Sequence, residues 1–300
     1  MSASPIVSVI LPTFNRLAHL RLAVASVLAQ TLTDWELIIA DDGSDDVTRA
    51  YLAGLAAPRI RTLLLPHSGN PASMRNAAIA AARGHYLAFL DSDDLWLPRK
   101  LESQLEHLAA TPARRWSYSR VLRIDENGDP ASEAGVRPWR AHAGRIVEQL
   151  LKVEALIATP SVVAERALVE EARGFDEQQW FCEDYDLWLR LALRSEVSAL
   201  EEPLACVRVH RANYSQDRSG AHAGWVRLYA KMEHLVDTPR LRAICRRGEA
   251  LAGLALAASL RRAGDKSAAA RAFGASARRG WSSPLWWPHA VRTLLATTRG

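Results

Sequence analysis

Short apolar segments alternate with segments of helical periodicity through the first hundred residues, and this alternation limits the fold more than any other feature. Residues 6–11 form a nearly continuous β-branched run, as expected of a strand buried on both faces. In the next segment Leu17, Leu20, Val24 and Val27 recur at helical spacing, and Asn15 is a suitable N-cap for that helix. The chain therefore begins with a strand followed by a helix.

The same alternation continues to residue 90. Residues 36–40, 60–65 and 86–90 are predicted strands, and the alanine-rich residues 73–82 are a predicted helix that Gly84 ends. Alternating strands and helices are typical of a doubly wound α/β sheet. The fold class is therefore predicted as α/β with a Rossmann-like, doubly wound mixed sheet.

The second hundred residues are less regular. Strands are predicted at 115–124, before a turn at Asn127-Gly128, at 157–164, and at 205–210 as a closing strand. Helices are predicted up to Ala172 and at 183–193.

The character of the chain changes near residues 237–239, where alanine, arginine and leucine become dominant. Helices are predicted at 241–263 and 267–279, followed by a tail that contains Trp281, Trp286 and Trp287. We therefore predict an α/β domain at 1–239 and a C-terminal helical region at 240–300. The tail could pack against the domain, as buried tryptophans do, or rest on a membrane interface.

Composition narrows the classes of protein. Half of the residues are apolar and a quarter are charged, which is typical of a globular chain. The three cysteines are scattered, which argues against a zinc knuckle or a disulfide framework and favours a reducing compartment. The sequence shows neither the features of a signal peptide nor an apolar run of about 18–20 residues, the length that a membrane helix needs.

The formal net charge of +5 is concentrated in the C-terminal region, where Glu249 and Asp265 are the acids after residue 240. Such a basic segment suits nucleic acid, an anionic membrane surface or an acidic substrate. A nucleic-acid binder would leave the acidic motifs described next without a role, so no nucleic-acid partner is expected.

Polar clusters follow three of the predicted strands, at residues 12–15 (PTFN), 41–44 (DDGS) and 91–94 (DSDD). Ligands of doubly wound sheets bind outside the carboxyl ends of the strands. We therefore expect these clusters to form one rim with a binding site.

The carboxylates of Asp91 and Asp93 are separated by one residue after a buried strand and point to the same side. Hard oxygen ligands suit Mg²⁺ or Mn²⁺, which also stabilise a departing diphosphate. Acidic turns after strands are common, because aspartate readily occupies turns, so a solvated turn is the alternative interpretation of this motif.

Three further sites, at Asp41, at Arg75 and at Glu183-Asp184, each have both a functional and a structural interpretation. Asp41 is suited to bind a base or ribose hydroxyl, and Arg75 a base or phosphate, yet a solvated turn and a surface ion pair are alternatives. Glu183 and Asp184 begin a predicted helix, where a carboxylate is kept ionised and suits a general base. Simple preference for acids at a helix N-terminus is the alternative.

The order of these motifs resembles the family 2 glycosyltransferases. The resemblance rests on residues 7–15 (VSVILPTFN), 26–31 (SVLAQT), 35–44 (WELIIADDGS), 75–76 (RN), 84–94 (GHYLAFLDSDD) and 183–190 (EDYDLWLR). It extends from about residue 5 to residue 210, with several independent motifs in the order that the family has.

The resemblance implies a GT-A fold, a nucleotide-sugar donor, a Mn²⁺ or Mg²⁺ cofactor, and inversion at the anomeric carbon. Uridine is the leading base of the donor by this resemblance, and guanosine and thymidine remain open. It implies that the acceptor is a hydroxyl of a glycan, a lipid-linked molecule or another acceptor, in cell-surface polysaccharide or glycoconjugate assembly. Asp184 becomes the catalytic base with Glu183 beside it, and Asp93 binds the metal, with His210 near the metal or diphosphate. The implied nucleotide-binding residues are Pro12, Thr13, Asn15, Asp41, Ser44, Arg75 and Asp91.

Departures from the family's polymerases refine the expectation. The Gln-x-x-Arg-Trp element of the processive members is missing, so addition of a single sugar is expected in a cytoplasmic enzyme, free or peripheral at the inner face of a membrane. A nucleotidyltransferase would need a glycine-rich basic loop where residues 12–15 stand. A non-catalytic nucleotide-sugar scaffold would be favoured by loss of Asp93 or Asp184, and both are present.

Overall fold

The structure is a computed structural model that describes residues 4–55, 57–134, 136–209 and 217–295. The chain forms two units, of which unit 1 comprises residues 1–146, 155–177 and 187–210. Unit 2 comprises residues 147–154, 178–186 and 211–300. The domain boundary at 239/240 stays a prediction.

Unit 1 contains a mixed eight-stranded sheet with the strand order β3-β2-β1-β4-β7-β6-β8-β5. The strands are β1 Val7–Thr13, β2 Trp35–Asp41, β3 Ile60–Leu64, β4 Tyr86–Phe89, β5 Leu95–Trp96, β6 Arg114–Ile124, β7 Val163–Glu165 and β8 Glu196–Arg208. The first four strands are parallel, and β7 runs antiparallel between β4 and β6. The predicted doubly wound mixed sheet is therefore confirmed.

Helices accompany the parallel strands as the alternation predicted. The helices of unit 1 are α1 Leu17–Leu28, α2 Asp46–Ala53, α3 Pro71–Ala81, α4 Lys100–Ala109, α6 Arg166–Glu171 and most of α7 Glu183–Ala192. Every residue of β2 is buried, and the apolar residues of β1 are fully buried, because both faces of these strands are covered. The core of unit 1 lies on these strands.

Three local predictions were wrong in detail. Asn15 does not cap α1, whose N-cap residue is Arg16; the Asn15 side chain accepts a hydrogen bond from the backbone N–H of Asp45 instead. Residues 157–164 are not one strand, because the 3₁₀ turn Thr159–Ser161 contains Pro160, which lacks the N–H that a ladder needs. The helix before Gly84 ends earlier, at Ala81.

Unit 2 is helical. It contains α5 Val147–Leu151, α8 Arg218–Leu235, α9 Pro239–Arg262, α10 Lys266–Gly280, α11 Trp286–Leu295 and the first turn of α7. The two helices predicted after residue 240 are confirmed as α9 and α10, and the Asp265 carboxylate caps α10 by accepting from Ala268 N at 2.8 Å. Among the helices of the described residues, none has the length and apolar character that crossing a membrane needs.

Candidate active site

The carboxyl ends of β2, β1 and β4 lie next to one another, because these three strands are neighbours in the sheet. Thr13 pairs with Asp41 in the β1–β2 ladder, and Pro12 pairs with Ala40. On the other side of β1, Leu90 N donates to Ile10 O at 3.0 Å, which brings the 91–94 turn to the same edge. The three polar clusters therefore form one rim.

Asn15 and Ser44 join the first two clusters. Asn15 N donates to Ser44 Oγ at 2.9 Å, and Asn15 Oδ1 accepts from Asp45 N at 2.7 Å. Asn15 has a φ of +49°, a left-handed conformation that asparagine tolerates better than most residues. Asp41 Oδ2 in turn accepts from Ser44 N at 3.1 Å. Both loops are thereby fixed before any ligand binds.

Two polar atoms of this rim are buried with their hydrogen-bonding capacity unused. Neither Thr13 Oγ1 nor Asp41 Oδ1 has a hydrogen-bond partner among the residues that the structure describes, and the two side chains are 3 % and 0 % exposed. A buried polar atom without a partner costs about 1–3 kcal/mol. Both atoms belong to residues that the sequence predicted as nucleotide-binding, and a bound base or ribose would supply the missing partners.

Sequence reasoning missed Asp42, which organises the loop after β3. Asp42 Oδ1 accepts from Ser68 N at 2.7 Å, and Asp42 Oδ2 accepts from Gly69 N at 2.8 Å. The His67 ring lies against Asp42 and stacks on Phe14 with ring centroids 4.2 Å apart. Phe14 is 39 % exposed, so this ring pair presents an aromatic surface at the rim.

The 91–94 turn concentrates carboxylates at the end of β4. Arg75 on α3 is buried and donates to Asp91 Oδ1 at 2.7 Å. The guanidinium of Arg16 contacts the Asp93 carboxylate, another partner that the sequence did not indicate. Arg75 was predicted to approach the nucleotide, and in this structure its described ion pair is with Asp91.

Arg208, at the end of β8, donates hydrogen bonds that hold the 91–94 turn in place. Its backbone N–H donates to Asp94 Oδ1 at 2.8 Å, and its Nε donates to Asp93 O at 2.9 Å. Burial raises the pKa of Asp94 well above its usual range, and the negative charges of Asp93 and Asp91 raise it further. Three carboxyl groups therefore lie close together in this turn, and a cation would relieve their mutual repulsion.

The donor chemistry of this turn fits a hard divalent cation. The side chains of Asp91 and Asp93 are 27 % and 18 % exposed, so their oxygens are partly accessible at the rim. Within the described residues no group of three or more His, Cys, Asp or Glu side chains could hold a metal. Mg²⁺ typically takes one or two carboxylates and fills its other positions with phosphate and water. His210 lies outside the described residues.

The predicted base lies in unit 2, in the first turn of α7. Asp184 and Glu183 are half-buried there, and Asp184 Oδ1 accepts from Tyr185 N at 2.7 Å. The preceding residues Phe181 and Cys182 have φ values of +60° and +59°, which L-residues rarely adopt. Burial raises the pKa of Cys182, and the charges of Asp184 and Glu183 raise it further. Strained backbone of this kind concentrates at functional sites.

Helix α8 fixes this strained segment within unit 2. Gln179 donates to the backbone oxygens of Phe181 and Gly224, at 3.0 and 2.9 Å. A side chain at Gly224 would place its Cβ 2.9 Å from Phe181 O, so only glycine permits this approach. Lys231, seven residues further along α8, pairs with the buried Asp186 at 2.7 Å. Residues 179–186, which we call the base segment, are therefore held in place by residues of α8 that are far away in sequence.

A second loop, which precedes the base segment in the chain, depends on Asn76. Asn76 Oδ1 accepts from Phe175 N, and its Nδ2 donates to Phe175 O, each at 2.9 Å. Gly174 has a φ of +62° and a Cβ there would lie 2.7 Å from Asn76 Oδ1. The pair Arg75-Asn76 thus connects helix α3 to the 91–94 turn through one residue and to this loop through the other.

Known proteins resemble the chain in sequence. The model of glycosyl transferase family 2 matches residues 8–161. The chain is 30 % identical over 237 residues to the Escherichia coli UDP-Glc:alpha-D-GlcNAc-diphosphoundecaprenol beta-1,3-glucosyltransferase WfgD, covering 79 % of this chain and 89 % of that protein. It is 44 % identical over 128 residues to the putative teichuronic acid biosynthesis glycosyltransferase TuaG of Bacillus subtilis, covering 42 % and 50 %.

Solved structures share the fold at low sequence identity. The S. aureus TarS 1-349 structure in complex with UDP-GlcNAc superposes with a TM-score of 0.62 at 18 % identity, covering 96 % of this chain and 79 % of that one. The Pyrobaculum calidifontis mannosyltransferase PcManGT, in complex with GDP-Man and Mn²⁺, gives 0.62 at 17 % identity, covering 99 % and 88 %. The mixed sheet is thus a GT-A fold, and the chain belongs to glycosyltransferase family 2.

Proposed function

We propose that this glycosyltransferase is metal-dependent and inverting, and that it adds a single sugar from a UDP-sugar to a hydroxyl of a glycan or lipid-linked acceptor. The observation that carries the proposal is the rim, where Thr13 Oγ1 and Asp41 Oδ1 are buried without partners among the described residues, next to the carboxylates of the 91–94 turn. A nucleoside would pair with Thr13 Oγ1 and Asp41 Oδ1, and a metal-bound diphosphate would lie at the carboxylates of the 91–94 turn.

Features of the rim and the names of related proteins both support a UDP-sugar donor. Asp41 accepts hydrogen bonds, as a partner of a pyrimidine or ribose donor must, and the stacked rings of Phe14 and His67 offer an apolar face. WfgD is named for UDP-Glc, and TarS is described in complex with UDP-GlcNAc. PcManGT is described with GDP-Man, so a guanosine donor is the alternative to be tested.

Asp93, with Asp91 beside it, would hold a Mn²⁺ or Mg²⁺ ion, and His210 is proposed as a further ligand. Such an ion, when bound, neutralises charge on the departing nucleoside diphosphate. Arg16 pairs with Asp93, and Arg75 pairs with Asp91. We also propose that the nucleotide contacts Pro12, Asn15 and Ser44. The hydrogen bond between Asn15 and Ser44 joins residues 12–15 to residues 41–44.

Asp184 is proposed as the base that removes the proton of the acceptor hydroxyl, with Glu183 as its neighbour. The positive end of the α7 dipole favours the ionised carboxylate that this role requires. The acceptor oxygen then attacks the anomeric carbon opposite the leaving diphosphate, which inverts the configuration. The strained Phe181-Cys182 turn presents the base at the first turn of the helix.

We further propose that the enzyme acts in the cytoplasm, in cell-surface polysaccharide or glycoconjugate assembly, with peripheral contact to the inner face of the membrane. Cys182, Cys206 and Cys245 are all free thiols, as expected of a reducing compartment. The names of WfgD and TuaG specify a diphosphoundecaprenol acceptor and teichuronic acid biosynthesis. An acceptor on a lipid would make membrane contact useful.

Calorimetric binding of UDP, GDP and dTDP, with and without Mn²⁺, tests the donor site. We expect Mn²⁺-dependent binding of UDP that Asp93→Ala abolishes, while the exposed Asp34→Ala, at the opposite end of β2, binds like the wild type. Binding of GDP alone would overturn the UDP assignment. Absence of binding by folded protein would overturn the donor site. Nucleotide binding without sugar transfer would favour the non-catalytic scaffold, and pyrophosphate release from a nucleoside triphosphate would favour a nucleotidyltransferase.

The base is tested separately with Asp184→Asn. General-base removal costs about 10²- to 10⁴-fold in rate, so we expect transfer to fall in that range while UDP affinity stays unchanged. Glu183→Gln, one residue away in the same helical turn, is the matched control and should lose less. Transfer by Asp184→Asn at a nearly normal rate would refute the assignment.

A further inference from the structure

The three tryptophans of the C-terminal tail have different environments. Trp286 is buried, and its Nε1 donates to Ser276 Oγ at 2.8 Å, inside a cluster with Ala250, Leu254 and Ala290. Trp281 and Trp287, in contrast, are 67 % and 44 % exposed. Packing within unit 2 therefore accounts for Trp286 and leaves the exposure of the other two tryptophans unexplained, and packing of the tail against the N-terminal domain stays a prediction.

Helix α11 is apolar on two faces. Trp286 and Ala290 lie four residues apart on the buried face, whereas Trp287 and Val291 lie four apart on the exposed face. Leu285 and Trp281 extend the exposed face, and the Trp281 and Trp287 rings meet edge to face with centroids 5.2 Å apart. We call Trp281, Leu285, Trp287 and Val291 the exposed tail patch. A contiguous apolar patch on a surface usually marks an interaction site.

The charge around this patch selects the partner. The chain contains no acidic residue after Asp265, whereas Lys266, Arg271, Arg278 and Arg292 fall in this segment. Arg271 and Arg278 are both exposed, seven residues and therefore about two turns apart on α10. A second copy of the same cationic surface would be repelled, whereas an anionic surface would be attracted.

We propose that the exposed tail patch docks on an anionic lipid surface, with Trp281 and Trp287 inserted at the headgroup level and the α10 arginines above them. Tryptophan is favoured at this depth because its ring is apolar and its N–H is polar. Amphipathic segments with tryptophan on one face and basic residues beside it bind membranes in this way. The inference rests on the peripheral contact proposed above and assigns it to named residues.

Co-sedimentation with vesicles tests the docking. We expect the wild type to bind phosphatidylcholine–phosphatidylglycerol vesicles and to bind pure phosphatidylcholine much more weakly. Trp281→Ser/Trp287→Ser should lower the affinity about 10-fold or more, and Arg271→Gln/Arg278→Gln about 5-fold per arginine at low salt. Leu64→Ser/Leu235→Ser removes two exposed leucines, 60 % and 48 % exposed, and is the matched control.

Several outcomes would overturn the proposal. Equal binding by the tryptophan variant and the wild type, or equal binding to both kinds of vesicle, would do so. So would a wild-type dimer in sedimentation velocity that the tryptophan variant loses, because the patch would then join two copies. UDP affinity, measured on the same variants without vesicles, should stay at the wild-type value and keeps this test separate from that of the donor site.

Discussion

The two ends of the parallel strands in unit 1 differ in how their polar atoms are satisfied. At the amino end, Ser8 Oγ donates to Glu36 Oε1 at 2.7 Å and accepts from Gly84 N at 2.8 Å. Glu36 Oε2 accepts from two nitrogens of the Arg83 guanidinium, at 3.0 and 2.8 Å. Residues at the amino ends of three strands, namely Ser8, Glu36, Arg83 and Gly84, thus form a hydrogen-bonded network around the buried Glu36 carboxylate. We call it the closed network.

At the carboxyl end the same strands β1 and β2 end in Thr13 and Asp41, whose side chains retain buried oxygens without partners among the described residues. The neighbouring Asn15 adopts a left-handed φ of +49°. Both ends therefore place polar residues within an apolar sheet. At the amino end both oxygens of the Glu36 carboxylate have partners, whereas at the carboxyl end Thr13 Oγ1 and Asp41 Oδ1 have none among the described residues.

This difference separates a stabilising role from a binding role. Polar networks with every member satisfied make a core rigid, whereas uncompensated polar atoms destabilise the fold until a ligand pairs with them. Substitutions at the amino end should therefore change stability and not nucleotide affinity. Substitutions at the carboxyl end should do the reverse.

The largest effect is expected from Glu36→Leu. The substitution removes the carboxylate that accepts from the Ser8 hydroxyl, the Arg83 backbone N–H and the half-exposed Arg83 guanidinium, and each hydrogen bond to a charged group is worth about 1.5–3 kcal/mol. Urea unfolding would measure this loss. The control Glu102→Leu breaks the exposed pair with Arg99 and should cost less than about 1 kcal/mol. An equally small loss from both substitutions would contradict the comparison.

Gly84→Ala should destabilise somewhat less. A Cβ at Gly84 would lie 2.5 Å from Ser8 N and 2.7 Å from the carbonyl carbon of Val7, and these backbone atoms cannot move aside. Overpacking of this kind costs about 1–3 kcal/mol. In Gly274→Ala, the matched control on α10, the nearest atom that the new Cβ would meet is a nitrogen of the Arg278 guanidinium, 3.9 Å away, and thermal unfolding should show no loss.

Asp41→Asn should produce the opposite pattern at the carboxyl end. The amide can still accept from Ser44 N, so stability should change by less than about 1 kcal/mol, but its NH₂ group replaces an acceptor that the nucleotide needs. UDP affinity measured by calorimetry should fall about 10-fold, the value of one good hydrogen bond. Ser8→Ala is the mirror control, with lower stability and unchanged affinity. Unchanged affinity in Asp41→Asn would remove Asp41 from the site.

The sequence predicted the parallel half of the sheet well for a physical reason. Strands buried on both faces, such as β1 and β2, appear as apolar runs, and the polar residues that follow them mark the strand ends. The rim follows from this, because carboxyl ends of parallel neighbours meet at one edge. Resemblance to the family added the order of the motifs, which strand periodicity alone does not supply.

Elements that depend on distant partners were missed. The Glu201-Glu202-Pro203 stretch hides the first half of β8, because its alternation is broken there. Helix α8 exposes much of its surface and shows only a weak apolar stripe, so no helix was predicted at Arg218–Leu235.

The site was predictable to the same extent. Adjacent acids such as Asp41 and Asp42 cannot be distinguished by pattern, and only the fold shows that Asp42 binds the 67–69 loop. Asn15 is a plausible cap by local rules, but its contacts with Ser44 and Asp45, thirty residues away in the latter case, decide its conformation. Local sequence carries no signal for such contacts.

The smallest effect that the comparison predicts is a dependence of stability on pH. Burial raises the pKa of Glu36, but hydrogen bonds from Ser8 and Arg83 and the charge of Arg61 outweigh it, and the net pKa is lowered. A carboxyl with a lowered pKa contributes stability above its unfolded pKa, about 4.3, and loses that contribution as the pH falls through its folded pKa. The stability advantage of the wild type over Glu36→Gln should therefore shrink below about pH 4.3. Urea unfolding of both proteins at pH 6, 4 and 3 measures it, and a difference independent of pH would show that the closed network does not depend on the Glu36 charge.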